Sequence, residues 1–386
     1  VSICAALISQ ACNVELESLI RTDVPALSRD RLSWVAQNYI RKDTLLRANA
    51  DLVDYQSRVP LVQCWGGGEV ASADGLRFVV PVRTINAGFN PVYFGVGRGL
   101  TYYNYTSDQF SGFHGIVIPG PLKDSAYLLE GILEHQTNLK PREVMTDTGG
   151  ASETVFGLFC LLGFQFSPRL ADSGACKFYR AKNGSNYGPI ELIRPGNLRV
   201  EHIEKNWDDL LRVVGSLKLN RVSASELLHS LLGARLPTAL GKALSEVGKV
   251  AKTIHLLRYV SDENYRRRIL VQLNRGEQRH SLARRVFHGR RGELRQPYRE
   301  GQEDQLSALG LVVNALTLWN TLYMNEAVNY LRDQQFPVDD ADLAHLSPLE
   351  VRSVNLAGTY NFNNVHTALN GQFRPLNYAS LQNDRT

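Results

Sequence analysis

Apolar positions change period several times along the chain, and each change marks an element. Over the first 60 residues the spacing is helical: Leu32, Val35, Ala36, Tyr39 and Ile40 fall at i, i+3, i+4, i+7 and i+8, one stripe for packing. Pro60 ends that segment. From Gln63 to Thr106 the runs EVASAD, LRFVVPV and PVYFGVGRGLTYYNY alternate or are β-branched, are separated by Gly and Asn, and predict three successive strands. KDSAYLLEGILEHQ (123–136) returns to helical spacing, REVMTD (142–147) reads as a short strand, ETVFGLFCLLGF (153–164) as an apolar helix closed by Gly163, and FQFSPRL as another strand. Three strands, helix, strand, helix, strand is an α/β order that predicts a mixed sheet flanked by helices.

From Asn206 to about Tyr259 the signal is helical throughout (WDDLLRVVGSL, SASELLHSLLG, ALGKALSEVGKVAKTIHLLRYV) and interrupts the sheet as an inserted module. A long helix follows over 262–288 and another over 302–335. The chain therefore divides into a helical N-terminal segment (1–62), the first part of the sheet core (63–200), an all-helical insertion (201–260), a long arginine-rich helix and the last helices of the core (261–335), and a tail (336–386). The tail begins acidic, with Asp339, Asp340 and Asp342, becomes Asn-rich, and predicts no module of its own.

With 386 residues, 44% hydrophobic and 21% charged, the composition is that of a globular chain with a large core. The longest apolar run, Leu309 to Leu322, is broken by Asn314 and Asn320 and falls short of the ~20 residues a bilayer crossing needs, so no membrane partner is expected. Five cysteines without a CxxC pair predict neither a disulfide framework nor structural zinc; they read as buried thiols in a reducing, cytoplasmic compartment. The opening on Val1, with amphipathic patterning from the start, suggests a carboxy-terminal piece of something longer.

Charge changes the picture more by its position than by its total. The net charge is only +5, yet residues 258–299 hold twelve Arg against four acids. The planar guanidinium fork suits phosphate oxygens, so this cluster points to a polyanion, and nucleic acid in particular.

Three acids stand out by placement: Asp74 at the end of the first predicted strand, Asp147 at the end of a later one, and Glu277 within the arginine-rich helix. Strand carboxylates on neighbouring strands meet at one sheet edge, and a helix packed on that sheet brings a third beside them. Such a set holds two Mg²⁺ ions for in-line displacement at phosphorus, Mg²⁺ preferring few carboxylates plus water and phosphate oxygens. Each acid has a structural alternative. Asp74-Gly75 is a hairpin-turn signal, Asp147 precedes a helix it could cap, and Glu277 among arginines could be an ion-pair partner. His280 and Arg284 share a helix face with Glu277, where they could approach a bound phosphate. Gly66-Gly67-Gly68 and GVGRG (95–99) lack the spacing of a phosphate-binding fingerprint and read as flexible loops, and Trp65 and Trp207 read as core.

The segments SADGLRF (72–78), TDTGGASETVFGLF (146–159), LLGFQFSPRLAD (161–172) and LNRGEQRHSLARRVFHGRRGE (273–293) resemble, in order and spacing, the carboxy-terminal catalytic part of the Tn3-family transposases, and SPLEVRSVNLAGTYNF (347–362) resembles the family's closing segment. The resemblance covers essentially the whole chain. It implies an RNase H-like fold with a helical insertion before the last acid, and a DDE triad on Asp74, Asp147 and Glu277. Asp74 and Asp147 would be shared ligands of Mg²⁺, with Mn²⁺ as a substitute, and Glu277 would complete the second ion's shell. It further implies replicative transposition: hydrolysis frees a 3′-OH at each transposon end, and that hydroxyl attacks target DNA. Arg266, Arg267, Arg268, Arg279, Arg284, Arg285, Arg290 and Arg291 are the expected DNA contacts, a homodimer is expected to hold two ends together, and the address is a bacterial cytoplasm, nucleoid-associated when on DNA. The alternative is a non-catalytic DNA-binding or assembly protein that uses only the basic helix.

Overall fold

In the computed structural model, residues 1–120, 122, 124–172, 176–180, 188, 195–233, 238–352 and 354–362 are described; the Asn-rich end of the tail lies outside them. The amphipathic N-terminal stripes form α1 (Ser2–Ala11), α2 (Arg29–Tyr39) and α3 (Lys42–Gln56). Leu32 and Val35 are buried as the stripe requires, whereas Tyr39 stays exposed.

The sheet begins with β1 (Val70–Val79), which corrects the predicted partition: EVASAD and most of LRFVVPV are one strand, with no turn at Asp74-Gly75. The hairpin signal loses because Asp74 pairs with Asn104 and Gly75 with Tyr103 on β3 in a continuous antiparallel ladder. Glycine is required there by close approach, since a Cβ on Gly75 would stand 2.5 Å from Thr101 Cγ2. The third predicted strand splits into β2 (Gly88–Phe89), a single helical turn α4 (Pro91–Phe94) and β3 (Arg98–Ser107). Asn90 caps that turn by accepting from the Val92 N–H at 3.1 Å. A strand the sequence reading did not separate, β4 (Gly112–Pro119), follows and pairs with β3 antiparallel.

The stretch 123–136 yields only a 3₁₀ turn at Asp124–Ala126 and a short helix α5 (Glu130–Glu134). Next come β5 (Glu143–Met145), α6 (Glu153–Leu162) and β6 (Gln165–Phe166), with β5 parallel to both β1 and β6. The main sheet is therefore mixed, in the order β4-β3-β1-β5-β6, with β2 pairing at the start of β3. A separate pair, β7 (Phe178–Arg180) and β8 (Pro195–Asn197), is parallel.

Four helices stand between β8 and the last helices of the chain: α7 (Val200–Lys205), α8 (Trp207–Lys218), α9 (Ala224–Gly233) and α10 (Ala239–Ser261). Helix α10 crosses α6 at a glycine pair, where a Cβ on Gly248 would run into the Glu153 carbonyl and one on Gly157 into the Leu244 carbonyl. Two backbones approach this closely only without side chains at the crossing. Trp207, expected in the core, is half-exposed at the start of α8, while Trp65 is buried and donates from Nε1 to the Leu343 carbonyl at 3.0 Å.

Helices α11 (Glu263–Val286) and α12 (Arg299–Asp333) lie against the sheet, and α13 (Asp340–Leu343) closes over Trp65. By length and composition α12 passes as a bilayer-crossing helix, but 56% of its apolar window is buried in this fold, where Leu306, Ala308, Leu309 and Val313 are core. Of the five free thiols only Cys12 is fully buried; Cys4 and Cys160 are exposed.

The triple-glycine run is held rather than loose: Asp108 Oδ1 accepts the Gly68 N–H at 3.0 Å and Gln109 donates to the Gly66 carbonyl at 2.9 Å. Burial pushes the Asp108 carboxyl up to about 6, against the Gly68 N–H and the Arg275 guanidinium, which favour its charge. A carboxyl whose pKa rises on folding holds more protons folded than unfolded, so stability falls as pH rises from about 4 to about 6. Asp108→Asn keeps the acceptor for Gly68 and removes the titration. In urea denaturation the variant is expected to lose roughly 2 kcal/mol less than the parent across that window; parallel pH profiles would contradict this.

Candidate functional site

A crevice opens where β5 ends and leaves β1. The two strands pair only from Val70↔Glu143 to Ser72↔Met145. Beyond that point β1 continues through Asp74 while the chain after Met145 turns away through Thr146 and Asp147. The cavity measures about 540 Å³ and is lined by Asp74, Asp147, Arg77, Tyr93, Asp124 and Thr146, among others. This brings together two of the three acids selected in the sequence.

None of the three acids does the structural work that was its alternative. Asp74 lies in mid-strand, not in a turn. Asp147 precedes a 3₁₀ turn without capping it through its side chain, and α6 is capped instead by Ser152, whose Oγ accepts from the Val155 N–H at 3.3 Å. Among the described residues, the Asp147 carboxylate accepts only from the Thr148 hydroxyl, at 3.3 Å. Glu277 is exposed on α11, and its carboxylate makes no hydrogen bond or ion pair with a described residue.

Glu277 is not among the cavity-lining residues. Among the described residues, no group of three or more His, Cys, Asp or Glu side chains stands close enough together to hold a metal ion. What α11 does bring to Asp74 is His280, with Nδ1 3.5 Å from Asp74 Oδ2. The docking of α11 along β1 explains this. Gln272 Nε2 donates to Ser72 Oγ at 3.2 Å and to the Thr106 carbonyl at 3.0 Å, Gly276 lies over Ser72, and Phe287 meets Phe78 edge-on at 4.9 Å. Residues 272, 276, 280, 283 and 287 thus form the helix face on β1, and Glu277 lies one turn before His280 at its margin.

The electrostatics of the crevice are those of a site for a cation and an anion together. Burial raises the Asp74 carboxyl and the negative charge of Asp147 raises it further; the Gly75 N–H, at 2.7 Å, with Arg77 and Arg284, pull the other way. Burial also raises Asp124, whose charge repels Asp74 and pairs with Arg77 at 3.7 Å. His280 is driven down to about 3, first by burial and then by Arg279, Arg284 and Arg77, so it is neutral at physiological pH and its contact with Asp74 is not an ion pair. Two polar atoms buried at the cavity, Thr146 Oγ1 and Arg77 Nε, lack a hydrogen-bond partner. Two carboxylates at an open cavity offer the hard oxygen donors that a divalent cation takes.

The sequence reading missed Arg77, Tyr93, Asp124 and Thr146, and only proximity to Asp74 or Asp147 could have signalled two of them. One expected DNA contact is corrected. Arg279 is 3% exposed, donates to the Gly310 carbonyl at 3.3 Å and packs against Gly112, so it supports the fold. Its position on the buried face with 272, 276 and 283 was readable from periodicity. Arg266 donates to the carbonyls of Tyr259 and Val260 at the end of α10. Arg267, Arg268 and Arg290 pair with Glu263, Glu143 and Glu15. Arg284, Arg285 and Arg291 are exposed and make no ion pair among the described residues.

Comparison with known proteins agrees with the motifs. The family described as "Tn3 transposase DDE domain" matches residues 1–360. The transposase for transposon gamma-delta of Escherichia coli (strain K12) is 56% identical over 377 residues, covering 98% of this chain and 38% of that protein. The transposase for transposon Tn4556 of Streptomyces fradiae is 42% identical, covering 100% and 43%, and that for Tn1546 of Enterococcus faecium 37% identical, covering 97% and 38%. The chain spans about two fifths of the length of these curated relatives. A match over nearly the full chain leaves one conclusion: the chain belongs to the Tn3 transposase DDE domain family.

Proposed function

We propose that this chain is the catalytic domain of a DNA transposase, performing metal-dependent strand cleavage at transposon ends and joining of the freed 3′-OH to target DNA. The observation that carries the reading is the pair Asp74 and Asp147, both facing one cavity and neither engaged in capping or in an ion pair that would explain it. The sheet order β4-β3-β1-β5-β6, three antiparallel strands followed by two parallel ones, supports an RNase H-like core into which residues 201–260 are inserted.

Asp74 and Asp147 would hold a divalent cation, Mg²⁺ in the cell with Mn²⁺ as a substitute, and Glu277 would join them. A cation held there supplies charge neutralisation at the phosphorus undergoing in-line displacement. Glu277 shares a helix stripe with Arg284, seven residues on, whose charge is felt at Asp74; the same side of α11 therefore faces the first acid. Arg77, whose side chain lines the cavity, would orient a non-bridging phosphate oxygen. Neutral His280 packs beside Asp74 without neutralising it. Arg284, Arg285 and Arg291 contact the DNA backbone, and two copies of the protein hold the two ends.

Asp147→Asn is expected to lower strand cleavage and transfer by at least about 1,000-fold while DNA binding changes little; retained cleavage defeats the assignment and favours a DNA-binding module. Because a raised Asp74 carboxyl must release its proton before it can bind a cation, Mn²⁺ affinity by calorimetry should weaken steadily as pH is lowered, and a pH-independent affinity would remove Asp74 from the ligand set. Arg284→Ala and Arg285→Ala should each reduce the slope of log K against log salt by about 1, and an unchanged slope would take that residue off the phosphate backbone.

A further inference from the structure

The hairpin between β1 and β3, which lines the cavity, has a composition of which the catalytic reading uses only Arg77. From residue 75 to residue 107 there is no acid, while Arg77, Arg83 and Arg98 are present. The same hairpin exposes apolar side chains that cover nothing: Phe89 is 57% exposed and Val92 83%. Tyr93 lines the cavity, is 46% exposed, and has the Arg77 guanidinium over its ring at 3.8 Å from the centroid.

An aromatic face backed by a guanidinium, at the rim of an open cavity, is the chemistry of base stacking combined with backbone capture. We propose that the wall formed by Tyr93 and Arg77 is a nucleotide subsite that receives one unpaired base of the DNA strand whose phosphate lies over Asp74 and Asp147. This rests on the transposase reading and goes beyond it by naming the conformation of the substrate. The volume of about 540 Å³ lies within the roughly 300–1,000 Å³ of sites that enclose small ligands, so the cavity has room for a nucleotide as well as the phosphate. Tyr93 already sits at the rim on the one-turn helix α4, held at its start by the Asn90 cap and anchored by Phe94, which is buried. A base entering from the DNA side stacks on the ring face opposite Arg77. Unstacking that base from the duplex costs a few kcal/mol, and the aromatic contact offsets this.

The test uses the 386-residue chain in EDTA, so that no strand is cut, with two probes: an uninterrupted DNA duplex, and the same duplex with a short single-stranded gap carrying 2-aminopurine. The parent chain is expected to bind the gapped probe roughly 5- to 100-fold more tightly and to quench the 2-aminopurine. Tyr93→Phe keeps both effects, and Tyr93→Ala loses both while binding the uninterrupted duplex as before. Equal binding of the two probes, or a preference and quenching that survive in Tyr93→Ala, overturns the subsite and leaves the catalytic assignment standing. Failure to bind either probe overturns the subsite together with the DNA reading beneath it.

Discussion

The docking of α11 on β1 is the contact from which the rest of the site follows. It joins residues about 200 apart in sequence, through the Gln272 amide bonded to Ser72 Oγ, Gly276 over Ser72, and Phe287 against Phe78. A buried amide with two acceptors fixes the helix in register, because sliding by one residue would strand its donors in an apolar contact. That register puts His280 beside Asp74, Arg284 within electrostatic reach of it, and Glu277 at the margin of the crevice. The N-terminal end of the helix is pinned separately. Tyr265 OH meets Ser167 Oγ at 2.6 Å and His255 Nδ1 at 3.0 Å, and Arg268 reaches Glu143 at 2.7 Å. Helix α10 thus meets α11 in a polar network that includes Ser167, just past β6, and Glu143 on β5, the strand that leads to Asp147.

The crevice itself follows from sheet geometry. A parallel pair of only three residues ends while one partner runs on, and the groups past that end face a gap instead of a ladder. Asp74 and Asp147 lie on the two sides of that gap. Burial of Asp74 and the charge of Asp147 both disfavour the ionised form of Asp74, and among the described residues no cation is dedicated to the two acids; Arg77 is shared with Asp124 and Tyr93. An active site for phosphoryl chemistry can leave its acids without a dedicated cation, since it is completed by ligands that arrive from solution.

Much of this was legible in the sequence where the signal is long. Helices α8, α9, α10, α11 and α12 carry several turns of 3.6-residue periodicity, and the structure begins and ends them within a few residues of the patterned segments. Short strands were harder. FQFSPRL contributes only Gln165–Phe166 to the sheet, and Asp74-Gly75 carries a local turn signal that cross-strand pairing overrides. Asp74 and Asp147 stand out in the sequence because each follows a strand-like run, although Asp74 lies in mid-strand, past the point where β1 stops pairing with β5. Arg77, Tyr93, Asp124 and Thr146 do not, because they meet only through the path of the hairpin and of the chain after β4, which no local pattern encodes. Arg279 was miscast for the opposite reason: its charge suggested the surface, while its place on the helix face demanded the interior.

The proposal stands on three carboxylates, Asp74, Asp147 and Glu277, converging on a pair of divalent cations when DNA is bound. Anomalous scattering from crystals of the protein with Mn²⁺ and DNA tests it most directly. A manganese peak coordinated by Asp74 and Asp147, with the Glu277 carboxylate turned into the same site, is the result the account predicts; a peak held by other groups, or a Glu277 that still faces solvent beside an occupied crevice, would contradict it.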